Sequence, residues 1–123
     1  MAGSGMKMPK PDEESKAYFR SLVPEDPRVE VKPMFGNLAA FVNTTMFLAL
    51  FGPTVVVRLS VEDGAELRKV KGTAPFEPMP GRPMRGYVTL PDSWRTQRAK
   101  ANAWVERSMT YAAGLPPKKK EKN

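Results

Sequence analysis

The stretch VEVKPMFGNLAAFVNTTMFLALFGPTVVVRL, residues 29–59, decides the fold. At its start Val29 and Val31 alternate with Glu30 and Lys32, the period of two that marks a half-buried strand. Three apolar runs follow, Leu38 to Val42, Thr45 to Leu50 and Thr54 to Leu59. They are separated by Gly36-Asn37, Asn43-Thr44 and Gly52-Pro53, residue pairs suited to tight turns. Connections this short cannot carry a parallel crossover, which needs roughly a dozen residues. The stretch therefore predicts an antiparallel meander of four strands.

Working outward, Pro11-Asp12-Glu13-Glu14 places carboxylates where a helix start leaves amides unpaired. Ser15, Tyr18, Phe19 and Leu22 then recur at helical spacing, and Pro24 ends the element. After the meander, Ser60 with Asp63 three positions on imitates a capping box. Val61, Leu67 and Val70 supply a modest apolar face, Gly64 weakens the helix and Gly72 stops it. Gly72 to Gly86 holds four prolines and three glycines and reads as a long ordered loop, a kind of segment often used for function. Tyr87 to Leu90 reads as a fifth strand. Asp92 then caps a last helix reaching about Ala113, with Ala101, Trp104, Val105, Ser108, Tyr111 and Ala112 on its sheet-facing side. The fold class is α+β: an antiparallel sheet of about five strands in the order helix, four-strand meander, helix, strand, helix. One domain over residues 12–114 is expected, with residues 1–11 a flexible leader and residues 115–123 a disordered basic tail.

The chain has no cysteine and no histidine. Disulfides, thiolate metal sites and thiol nucleophiles are excluded, as are histidine bases and ligands, and a reducing cytoplasm suits the composition. The longest apolar run, Met46 to Phe51, is far too short to span a bilayer, and no membrane association is expected. The net charge is +7. Residues 1–60 carry 7 basic and 6 acidic side chains and residues 61–123 carry 13 and 7, so the excess is almost wholly C-terminal. Such a field attracts acidic partners or phosphates, and it also keeps a solvated surface soluble.

The carboxylate clusters Asp12-Glu13-Glu14 and Glu62-Asp63 sit where helix starts favour negative charge, and neither has calcium-loop spacing. No Ser-x-x-Lys, Gly-x-Ser-x-Gly, phosphate-binding loop or dinucleotide fingerprint occurs. The reading is a non-enzyme without metal or cofactor. Two surfaces stand out instead. Met34 and Phe35 in the Met-Phe-Gly turn, and Phe76, Met79 and Met84 in the proline-rich segment, either close onto the core or offer an adaptable apolar surface to a partner. Arg82, Arg85, Arg95, Arg98 and Lys100 are either a solvated face or candidate phosphate contacts on nucleic acid.

Val31-Lys32-Pro33-Met34-Phe35-Gly36, followed by the apolar hairpins, carries a family pattern together with Gly81-Arg82-Pro83-Met84, Tyr87, Leu90-Pro91 and the Trp104 helix. This ordered set, over about residues 12–113, resembles the N-terminal domain of the TfoX/Sxy competence-regulator family. Asn37 stands where a glycine often follows Met-Phe-Gly. The resemblance implies a sheet flanked by helices, grouped with secretion-chaperone-like folds, and no catalytic residues to transfer. Full-length members are implicated in switching on natural-competence genes as transcriptional co-regulators, and the family's second domain is absent from these 123 residues. The expected function is a regulatory or protein-interaction domain with a protein partner and a homodimer as a related expectation. Direct nucleic-acid binding by the basic C-terminal half is the alternative, and an enzyme using serine, lysine or carboxylates a minor one.

Overall fold

The computed structural model describes residues 11–34, 37–77 and 81–115. The meander is present: β1 (Val29–Met34), β2 (Asn37–Val42), β3 (Thr45–Phe51) and β4 (Thr54–Arg58) pair antiparallel in sequence order. The tight turns carry the expected backbone. Asn43 and Thr44 both have positive φ, 51° and 66°, as a two-residue hairpin loop matched to strand twist requires, and Gly52 has φ 62° before Pro53. The sheet continues past β4 with β6 (Tyr87–Thr89) and ends on β5 (Ala74–Pro75), in the order β1-β2-β3-β4-β6-β5.

The sixth strand lies inside the segment read from sequence as a loop. Ala74 pairs with Thr89 and Pro75 with Val88. The Phe76 N–H then donates to the Tyr87 carbonyl at 3.0 Å and the Met84 N–H to the Phe76 carbonyl at 2.8 Å, so the segment folds back as a hairpin. A two-residue strand ending in proline shows no periodicity, because only the backbone ladder defines it.

Helix α1 (Glu13–Leu22) starts as its sequence suggests, with the Asp12 carboxylate accepting the Ser15 N–H at 2.8 Å. That bond holds the Asp12 carboxyl below the usual carboxylate range. Helix α2 (Val61–Leu67) is capped by Ser60, which accepts the Asp63 N–H at 3.1 Å. It stops at Leu67, before Gly72 is reached, and only Leu67 of its residues is buried. Val61, expected on the apolar face, is 86% exposed. The last helix also begins later than expected. Asp92–Thr96 is a 3-10 turn whose side chains do not cap it, and α3 (Arg98–Ala113) starts after Gln97, whose φ of −134° breaks the helical path.

All three helices lie on one side of the sheet. Phe19 and Leu22 of α1, Leu67 of α2 and Ala101, Val105 and Ala112 of α3 share one cluster with Ala40, Val42, Leu48, Leu50, Val55, Val57 and Val88. Trp94 of the 3-10 turn joins them. A register shift between Ala40 and Phe41 leaves Phe47 without an opposite residue, a β-bulge. Ser108 compensates. Its hydroxyl donates to the Phe47 carbonyl at 2.6 Å and accepts the Arg58 N–H at 3.2 Å, locking α3 to β3 and β4 through a fully buried polar group.

Candidate interaction surface

Alternation along the strands that sends Leu48, Leu50, Val55 and Val57 to the helices sends the intervening residues the other way. That opposite, back face is also apolar. Ala39, Ala49, Val56, Phe76 and Tyr87 are buried there, and Phe41, Met46, Phe51 and Met84 are partly buried against them. Its cover comes from the paired segments 74–77 and 84–89. Phe76, 7% exposed, meets Phe51 edge-on, with ring centroids 5.2 Å apart at 75°. No helix packs on this face among the described residues.

The back face carries cations on its rings. Lys32 Nζ lies 5.4 Å from the Phe41 centroid, and the Arg58 guanidinium lies 5.5 Å from Tyr87 and also 6.0 Å from Tyr111 of α3, a helix of the other side. Tyr87 reaches across the sheet so that its hydroxyl donates to the Met46 carbonyl at 2.9 Å. Arg58 Nε is buried without a hydrogen-bond partner among the described residues. Neither Arg58 nor Tyr87 stood out as a functional candidate in sequence. Arg58 closes a Val-Val-Val strand, and its stacking depends on contacts between residues distant in sequence.

The sequence-derived apolar candidates divide. Phe76 is closed onto the sheet, Met84 is half-buried beside it, and Met34 ends β1 opposite Asn37. Phe35 and Met79 lie outside the described residues, as do residues 1–10 of the expected leader and residues 116–123 of the expected tail. Asn37 is buried, and its Oδ1 accepts the Gly52 N–H at 2.8 Å, tying β2 to the β3–β4 turn.

The basic candidates divide as well. Arg82, Arg85, Arg98 and Lys100 are exposed. Arg95 is a clamp. Its Nη2 donates to Ser15 Oγ and to the Pro53 carbonyl, each at 2.7 Å, its Nε faces Asp92 at 3.4 Å, and its guanidinium covers Tyr18 at 5.3 Å. A small recess of about 170 Å³ lies beside it, lined by Tyr18, Thr54, Val55, Leu90 and Pro91. Burial pushes the Tyr18 hydroxyl pKa up, so the group stays neutral. A shallow groove between α2 and α3 holds the Asp63–Arg107 ion pair at 3.4 Å. Among the described residues no three acidic side chains gather to hold a metal ion, and no helix is long and apolar enough to cross a membrane.

Among curated proteins, no sequence matches this chain. The family model of the TfoX N-terminal domain matches residues 12–112, which takes in every helix but the last residue of α3 and all six strands. The match and the antiparallel sheet with three helices agree, and the chain belongs to the TfoX N-terminal domain family.

Proposed function

We propose that this protein is a non-catalytic regulatory domain that works by binding another protein, in the manner of a competence or transcription co-regulator. The observation that carries the reading is the inequality of the sheet's two faces. One is covered by three helices, while the other is apolar and, among the described residues, has only a hairpin over it, leaving Phe41, Met46, Phe51 and Met84 partly open. Solvent-facing apolar clusters of this kind are characteristic of interaction surfaces, and methionine adapts its shape to a partner. Family membership supports a regulatory role at that general level, and the lack of cysteine fits a reducing cytoplasm.

The test is photo-cross-linking in cells from a reactive amino acid at Met84, compared with one at Glu106, an exposed position on α3. A discrete protein adduct from Met84 alone is the expected result. Adducts absent from both positions would overturn the reading.

A second reading rests on Arg82, Arg85, Arg98 and Lys100, which are exposed and have no ion-pair partner among the described residues. Direct nucleic-acid binding through them predicts affinity that falls steeply with salt. It also predicts that the arginine-to-glutamine changes at 82, 85 and 98 reduce the slope of that dependence. A salt dependence unchanged by these substitutions removes this reading.

A further inference from the structure

The back face has an internal order that narrows the kind of partner it fits. Lys32, Phe41, Met46, Tyr87 and Arg58 form a row across the sheet, each touching or pairing with the next. Lys32 covers Phe41, Phe41 opposes Met46, the Met46 carbonyl accepts from Tyr87, and Arg58 covers Tyr87. Lys32 on β1 and Arg58 on β4 lie three interstrand spacings of about 4.8 Å apart across the sheet and two residues out of level along it, so their backbones stand about 16 Å apart.

We propose that this row is a docking strip for an acidic amphipathic segment of a partner protein. Such a segment sets apolar side chains over Phe41 and Met46 and delivers one carboxylate to each flanking cation. The inference rests on the protein-interaction reading above and adds to it the location and the charge of the partner.

Charge complementarity carries the assignment. Arg58 has no carboxylate partner among the described residues. Two tyrosine rings fix its guanidinium in place, which lowers the entropy lost when a carboxylate arrives. At the other end the ion pair of Lys32 among the described residues is with Glu30, at 3.8 Å. Both side chains are more than half exposed, 55% and 70%, and such a pair exchanges readily for an incoming carboxylate. A second copy of this chain is disfavoured, because each copy carries a net charge of +7 and would bring the same cations. Single-stranded nucleic acid needs bare ring faces on which to stack bases. Here Tyr87 is 7% exposed and Arg58 lies over it, while Lys32 lies over Phe41.

The test is an NMR titration of the labelled full chain with three probes. They are a short peptide with leucine and phenylalanine between two glutamates, the same peptide with lysines for the glutamates, and a short single-stranded DNA. The acidic peptide is expected to shift the amides of Phe41, Met46 and Tyr87. Its affinity should fall about tenfold in Arg58→Gln, the loss of one charge-assisted contact. Lys32→Gln, at a more exposed site, should weaken binding in the same direction without touching the core. Arg20→Gln, at an exposed position on α1, should leave binding unchanged. Equal binding of the lysine peptide or of DNA at these amides overturns the proposal. Acidic-peptide shifts confined to the helical side also overturn it, yet leave an interaction domain standing. Binding by none of the probes at millimolar concentration overturns the strip, and the interaction reading then stands or falls on the cross-linking result alone.

Discussion

The two faces of the sheet are built from the same strands by simple alternation, yet they are closed in different ways. On the helical side, Phe47, Leu48, Val42, Val57 and Val105 are sealed and a buried serine ties helix to bulge. On the back, a hairpin with a two-residue strand carries most of the closure through Phe76 and Met84. Local stability follows the number of buried apolar contacts, so the hairpin opens at lower cost than the helical side. A domain arranged this way keeps a rigid frame while one surface stays adaptable.

Substitutions can break or sharpen this contrast, beginning with the largest effect. Phe47→Ala removes a fully buried ring from the helical side and is expected to cost about 3–5 kcal/mol in urea denaturation, the usual range for a core phenylalanine. Phe76→Ala is expected to cost about 2 kcal/mol, near the burial value of one aromatic side chain, because the hairpin can settle over the gap. A cost for Phe76→Ala equal to that of Phe47→Ala would erase the distinction between the faces. Ser108→Ala leaves the Phe47 carbonyl and the Arg58 N–H without their shared partner. A loss of about 1–2 kcal/mol is expected, with the shifts of Phe47 and Arg58 moved most.

The smallest effect lies in acid, at the edge of the helical side. The Ser15 amide lowers the Asp12 pKa from its ordinary 3.8, and the side chain and backbone N–H of Arg28 lower that of Asp26 to about 2. Both carboxylates are better stabilised when charged in the folded protein. Their contribution is therefore complete above pH 3.8 and is lost as pH falls through the lower folded values. Asp12→Asn should flatten the acid limb of a stability-versus-pH curve measured by thermal unfolding. An unchanged limb would show that the cap is not felt.

How much of this was legible in the sequence depends on whether the signal is local. The meander was legible because its alternation and its turns Asn43-Thr44 and Gly52-Pro53 lie within a few residues of each other. The sheet-facing side of α3 was legible for the same reason, including Ser108. The pairing of β5 with β6 was not, since Ala74-Pro75 becomes a strand only when Thr89 and Val88 lie opposite. The end of α2 at Leu67 and the break at Gln97 carry no local signal in the sequence. Of the candidate residues, Phe76 and Met84 stood out as apolar side chains in a proline-rich segment, while the pairing that closes Phe76 onto the sheet did not show. Arg95 was misplaced among free cations because Ser15 and the Pro53 carbonyl are 80 and 42 residues away from it in sequence. Arg58 and Tyr87 were invisible as a pair for the same reason, since β4 and β6 meet only in the folded sheet.

The inequality of the two faces is tested most directly by native-state hydrogen exchange resolved at single amides. The informative probes are the Phe76 and Met84 N–H groups, which hold the hairpin to Tyr87 and to itself, against the amides of β2, β3 and β4. The account predicts that the hairpin amides exchange through a local opening well below the free energy of global unfolding, while the amides at the centre of the sheet exchange only with it. Equal protection of both sets would contradict the account, because the back face would then be as firmly closed as the side the helices cover.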